Sequence, residues 1–317
     1  MDQTGRLAWL TAAASLLAAA LAWSALGNAQ ASDSVAAATP DAVTHVRIVR
    51  AHGDVVRDGR WAFLITALDS TIAEYGPYEI DADWTRMSSQ REINEVIAGR
   101  LVDVIASDTG HPDLNNGAIP IPIPIDKGLL GYRVALILQG QQPKFDGIHD
   151  VAGLRTLRIG QGEDWGDLPI YRLAGIPIVT ASRYDLLFPM LAAGRFDMFP
   201  RGVVEITHEL KAFRARYPHM AIESHLLIRY PYAQFFYVSP TQPLLAKRIR
   251  AGLEAMLKDG SFDALFNQHF AQSIADLHLA RRVLIDLKNP LLPSWVPLAR
   301  KELWLDPVGG KKPDSSE

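Results

Sequence analysis

The sequence contains no cysteine. That absence excludes disulfide staples, thiolate nucleophiles and cysteine-based metal sites together, and with them the acylated cysteine of a lipoprotein. A surplus of one charge is also missing: 32 basic side chains against 35 acidic ones leave a formal net charge of −3, so no nucleic-acid partner is expected. The nine histidines show no H-x-x-x-H spacing and no carboxylate–histidine cluster, and no metal site is expected. There is no G-x-S-x-G elbow, no internal repeat, and no second apolar run long enough to span a bilayer after Leu26.

The N-terminus reads as an export leader. Arg6 precedes an Ala- and Leu-rich run, Leu7 to Leu26, followed by Asn28-Ala29-Gln30-Ala31. Small residues at Ala29 and Ala31 are what signal peptidase accepts, so residues 1–31 are expected to be a signal peptide. An uncleaved anchor is the competing reading, because the run is about long enough to cross a membrane. Residues 32–43 are small and polar and read as a flexible lead-in, and the tail from about residue 307 reads as disordered. The mature chain is therefore expected to be a soluble monomer in the periplasm.

Strand and helix patterns alternate along the rest. β-rich or apolar runs at 45–51, 78–84 and 102–106 bracket helical stripes over 60–75 and 88–100. Ile119 to Ile125 alternates isoleucine with proline, which denies every second donor to a ladder and predicts an extended edge or connector. After a strand at 131–138, a second unit follows: strands at 156–159, 176–179 and 196–199, with helices between them and over 203–217. A strand at 233–238 and two helices, 244–258 and 262–275, complete the pattern. The fold class expected is α/β, with two lobes, each a mostly parallel sheet flanked by helices.

The order of elements and several local phrases resemble the bacterial solute-binding proteins of amino-acid ABC transporters. The phrases are Gly194-Arg-Phe-Asp197, Asp259-Gly-Ser-Phe-Asp263, and Phe235-Phe-Tyr-Val238 followed by Pro240. The likeness covers roughly residues 44–275. It implies a periplasmic-binding-protein-like fold with two crossover strands. Lobe 1 would be 44–137 plus 233–317, lobe 2 would be 138–232, and ligand would sit in the cleft between them. The family's carboxylate-gripping arginine has no counterpart in Ser107 to Asn115. Where the family places an acid for the ligand's amino group, this chain has Phe199-Pro-Arg201-Gly202.

Open α/β sheets bind ligands beyond the C-terminal ends of their strands, and the candidate ligand-binding residues follow from that rule. Gln161 and Gly162 read as a strand-to-helix turn, either a plain tight turn or a ligand wall whose N–H groups converge on an anion, and Trp165 follows as a ring to stack on a ligand or to cap the core. Arg201, read as emerging past the strand 196–199, is placed to fork a ligand carboxylate, with a salt bridge to Glu205 or Asp197 as the alternative. Arg133, inside an apolar strand, needs a partner such as Asp103 or Asp126, or else the ligand. His52 and Asp54 end the first strand, and Asp108 and Thr109 end the third. No catalytic residue and no cofactor are singled out.

These features point to binding of a small anionic or zwitterionic solute, for delivery to a membrane transporter or sensor. The alternative is a periplasmic hydrolase or lyase on the same scaffold. The first expectation is directly checkable: N-terminal sequencing of the exported form should read from Ser32, and intact Met1 in the membrane fraction would overturn it.

Overall fold

A computed structural model describes residues 43–50, 55–83 and 87–309. The expected signal segment, nearly all of the lead-in, the last residues of the tail, and the candidates His52 and Asp54 lie outside the described residues. Among the described residues no helix is long and apolar enough to cross a membrane.

The first half of the chain runs β1 (Thr44–Val49), α1 (Val55–Asp69), α2 (Ile72–Tyr75), β2 (Tyr78–Asp83), α3 (Ser89–Ala98), β3 (Val104–Asp108), α4 (Pro112–Gly117), β4 (Ile119–Pro120) and β5 (Tyr132–Leu138). There follow α5 (Val151–Leu154), β6 (Ile159–Gly162), α6 (Leu168–Leu173), β7 (Ile178–Ala181), α7 (Tyr184–Ala192), β8 (Phe199–Gly202) and α8 (Ile206–Phe213). The last part is β9 (Met220–Ile222), β10 (Leu226–Arg229), β11 (Gln234–Val238), α9 (Pro243–Asp259), α10 (Ser261–Asp276) and β12 (Val283–Asp286).

The elements follow local chemistry. Ser88 caps α3 through the Arg91 amide, and Gly99 ends the helix in the left-handed region (φ 64). The single helix expected over 60–75 is divided, because the Thr71 hydroxyl donates to the carbonyls of Ala67 and Leu68 and terminates α1. Trp61, Leu64 and Leu68 of the expected stripe are buried, while Ile72 is exposed on α2.

Parallel and antiparallel pairing share the work. β1 pairs β2 in parallel, and the Asp103 amide donates to the Arg47 carbonyl at 2.8 Å to bring β3 alongside. β11 runs antiparallel between β3 and β4. In the other sheet system β6 and β7 pair in parallel, and Ile159 bridges Met198 in parallel just before β8. β5 is antiparallel to β8, β9 and β10, and β10 is parallel to β12. The sheets are thus parallel at one side and antiparallel through β5 and β11, the two strands expected to be crossovers. β12 comes from the stretch expected to complete lobe 1, yet it joins the sheet of β5. The turn before it is held by the Arg282 guanidinium, which donates to the carbonyls of Leu277, Glu223 and Leu226.

The isoleucine–proline segment is an edge, as its pattern predicts. The amides of Ile121 and Ile125 donate to the carbonyls of Phe236 and Gln234, both at 2.9 Å, while Ile121, Ile123 and Ile125 are buried. Each proline falls where no ladder donor is needed.

This edge ends in a buried carboxylate. Asp126 accepts from the amides of Gly128 (3.1 Å), Leu130 (3.0 Å) and Gln234 (3.2 Å). Burial outweighs these donors and pushes its carboxyl up to about 6. Between the unfolded value of about 3.9 and the folded one, the folded chain holds a proton that the unfolded chain has released, so stability falls as pH rises through this window. At about 1.4 kcal/mol per unit, the contribution present below pH ~4 and lost by pH ~7 is about 3 kcal/mol. Denaturant unfolding of wild type and Asp126→Asn across this range should show that difference between them. A pH-independent difference would mean Asp126 ionises as it does in the unfolded chain.

Candidate functional site

The C-terminal ends of β3, β6 and β8 converge on a seam closed by the chain's own polar side chains. Arg133 lies on β5, inside a fully buried strand, where an ion without a partner is prohibitively costly. Its NH2 meets Asp167 Oδ2 at 2.8 Å, and its Nε donates to the Tyr230 hydroxyl at 2.7 Å. Tyr230 donates in turn to Asp167 Oδ2 at 2.6 Å, and Tyr171 Oη lies 3.2 Å from Tyr230 Oη. The partner is Asp167, not Asp103 or Asp126: Asp103 is taken by Arg47, and Asp126 by three amides. Burial raises the hydroxyl pKa values of Tyr171, Tyr230 and Tyr232, so these phenols stay protonated donors.

Arg201 corrects the expectation that the strand stops at Phe199. β8 continues through Pro200 to Gly202, with Arg201 opposite Val134, and the side chain is 6% exposed. Its guanidinium lies 4.6 Å from the Trp165 ring and 5.2 Å from that of Phe199. It forks Glu209 through Nε (2.7 Å) and NH2 (2.6 Å), and NH2 also lies 3.1 Å from Glu205 Oε2. The salt bridge to Glu205 is therefore present, supplemented by a bidentate pair at Glu209. Burial alone would raise the Glu205 carboxyl; Arg201, Arg133 and Arg60 outweigh it and hold the group below its usual value. Both arginines proposed for an anionic ligand already have carboxylates within the chain.

The loops at the strand ends touch through glycine. A Cβ on Gly110 would lie 2.2 Å from the Gly166 carbonyl oxygen, and one on Gly166 would lie 2.4 Å from Asp108 Oδ1 and 2.6 Å from the Tyr232 hydroxyl. Only hydrogen fits at either position. Asp108 Oδ1 also accepts from the Gly110 amide at 2.8 Å. Gly162 similarly lies under the Trp165 indole, 2.4 Å from where a Cβ would stand. Asp108, Gly162, Trp165, Arg133 and Arg201 are thus drawn into one region.

Two other candidates carry polar atoms that have no hydrogen-bond partner among the described residues. Gln161 on β6 is fully buried, and both its Oε1 and Nε2 lack a hydrogen-bond partner. Period-two alternation sets it opposite to Gly160 and Gly162, which face Phe196 and Trp165. Thr109, after β3, is buried with its hydroxyl unpartnered, although its carbonyl accepts from Asn115. A small cavity of about 10 Å³, near the space of one water, is lined by Val49, Arg60, Trp61, Glu92 and Ala106 at the ends of β1 and β3.

Sequence reasoning missed Tyr230, Tyr232 and Glu209 as members of this region. The Tyr230-Pro231-Tyr232 phrase directly before a buried strand was the available signal; Glu209 left none.

No protein-family model matches the sequence, and no curated protein is similar to it. Solved structures do match. A VFT2 domain of BvgS from Bordetella pertussis aligns with a TM-score of 0.50 at 15% identity, over 72% of this chain and 93% of that one. The fold is that of the two-lobed periplasmic binding proteins. Two other structures aligned to this binding-protein fold are the substrate-binding protein of an amino-acid ABC transporter and an ancestral arginine-binding protein bound to glutamine. The first has a TM-score of 0.48 and 15% identity over 73% of this chain and 100% of that one; the second has 0.49 and 14% over 72% and 97%. The seam lies at strand C-termini, where open α/β sheets bind ligands.

The seam's central pair is testable. Removing one partner of a buried pair leaves an uncompensated charge, so Arg133→Met or Asp167→Leu alone should cost about 3–5 kcal/mol. The double variant should cost much less than the sum, measured by denaturant unfolding. Additive costs would show that the two groups do not depend on each other.

Proposed function

We propose that the protein is an exported, periplasmic receptor of the solute-binding class, which closes two lobes over a small zwitterionic solute without transforming it. It passes that solute to a transporter or reports it to a membrane sensor. Lobe 1 would comprise residues 44–137 and the chain after 233, and lobe 2 residues 138–232, with β12 lent across to the second sheet.

Gln161 carries the reading. Folded proteins leave few buried amides unpaired, and each unpaired group costs about 1–3 kcal/mol. An amide offering both a donor and an acceptor at the end of a parallel strand suits a ligand bearing both a carboxylate and an ammonium. The Thr109 hydroxyl adds a further donor or acceptor. Purely anionic solutes fit less well, since Arg133 and Arg201 are already neutralised. Structures of this fold were solved with arginine and with glutamine bound, which supports amino acids as the class to try first.

The hydrolase or lyase alternative needs a carboxyl poised near neutrality and free to move a proton. Asp126, whose carboxyl burial raises to about 6, is committed to three backbone amides and so is not free to do this. That arrangement favours binding over chemistry.

Thermal-shift screening of the mature chain against amino acids and related zwitterions tests the reading. A ligand at about a hundred times its Kd should stabilise by roughly 2.7 kcal/mol. Gln161→Leu should raise the melting temperature of the ligand-free protein, because an unpaired amide is replaced by a hydrocarbon of similar size, and should abolish the ligand response. A variant less stable than wild type that responds to ligand as wild type does would return Gln161 to a structural role.

A further inference from the structure

The opposite ends of the first two strands hold a second constellation. His45 on β1 stands in register with Glu79 on β2, and Asp81 lies two residues further along β2, on the same face. The three side chains converge: His45 Nδ1 is 3.2 Å from Asp81 Oδ2 and 3.7 Å from Glu79 Oε2, and all three donor atoms lie within 4.8 Å of one another. All are exposed to solvent. The residues are 34 and 36 positions apart in sequence, so spacing rules could not have found them; parallel register assembles them.

We infer that His45, Glu79 and Asp81 form a surface site for a divalent transition ion of the zinc class. The argument is geometric. Zinc bound to nitrogen and oxygen at about 2.0–2.2 Å in a tetrahedron holds neighbouring ligand atoms roughly 3.3–3.6 Å apart. The two separations from the imidazole nitrogen bracket that spacing, so an ion would need only small side-chain rotations on a fixed backbone. One neutral imidazole and two carboxylates also balance the charge of a dication and relieve the repulsion between Glu79 and Asp81. Imidazole among the donors selects Zn²⁺, Cu²⁺ or Ni²⁺ over the all-oxygen ions Mg²⁺ and Ca²⁺. Arg47, in register with Asp81, turns its guanidinium onto Asp103 through Nε at 2.9 Å and NH2 at 2.5 Å, so its charge is largely spent there. Three protein ligands leave one position open to water or to a group from another molecule.

The site is at the N-terminal ends of β1 and β2, whereas the seam lies beyond the C-terminal ends, so ion and solute occupy separate places. Calorimetric titration of Zn²⁺ into the untagged full chain at about pH 8, in chelator-free buffer, should show saturable uptake. Loss of an outer-shell partner alone costs about 10–100-fold in metal affinity, so His45→Ala and Asp81→Asn should weaken uptake by at least tenfold. Gln161→Leu should leave it unchanged. With Cu²⁺, electron paramagnetic resonance should show coupling to one imidazole nitrogen, absent in His45→Ala. All three residues are exposed, and far-UV circular dichroism should confirm that the variants stay folded. No saturable uptake, or uptake unchanged in His45→Ala, overturns the assignment.

Discussion

Two guanidinium groups buried on adjacent antiparallel strands organise much of this molecule. An ion removed from water keeps its place only if opposite charge and hydrogen-bond partners are brought to it. Arg133 on β5 and Arg201 on β8 draw those partners from three separate segments. Asp167 comes from the first turn after β6, Glu205 and Glu209 from the start of α8, and Tyr230 from the strap before β11. Glu205 lies between the two arginines, 3.1 Å from Arg201 and 3.6 Å from Arg133, and so couples the pairs. The Trp165 ring is fixed by the same demand, stacked on Phe199 at 5.9 Å and covered by Arg201. Loops that would otherwise vary in position are thereby tied to the sheet, and the close contact of Gly110 with Gly166 follows from that tie.

The large elements were legible because one-dimensional patterns report them directly. Phe235 to Val238 and Val134 to Leu138 read as continuous apolar strands, and all of these residues but the terminal Leu138 are buried. The helix α3 announces itself by its Ser88 cap and its apolar periodicity, and Gly260 at φ 82 divides α9 from α10. Short strands were not legible: β9 spans three residues, and β10 and β12 are four each, too few for a period to show. β9 and β10 pair with β5, and β12 adds to β10.

The candidate site was legible as a location more than as a set of roles. The rule that ligands collect beyond strand C-termini picked out Asp108, Thr109, Gln161, Gly162, Trp165 and Arg201, and the fold draws most of them into or beside the seam. Their roles depend on partners that spacing does not reveal. Where 196–199 reads as the strand, β8 runs on to Gly202 and packs Arg201 among the rings of Trp165, Phe199 and Tyr184. Glu209 reaches Arg201 only because α8 turns its first residues back toward β8, and no sequence period encodes that angle.

Internal neutralisation of the arginines bears on which solute such a cleft can prefer. A solute carboxylate approaching Arg201 would compete with Glu209, which is tethered on the helix after the same strand and already forms both prongs of the fork. A tethered competitor acts at a high effective concentration whatever the solute concentration is. Displacing it would also leave Glu209 buried beside Glu205, two like charges in a medium that screens them poorly. An anion must therefore overcome an ion pair and a repulsion before gaining anything. A net-neutral solute meets no such opposition: it can satisfy Gln161 and Thr109 with its own donors and acceptors while leaving the ion pairs intact. Under the proposed function, the unpaired amide and the paired guanidinium groups point the same way, toward recognition by neutral hydrogen-bonding groups within a frame whose charges are already matched.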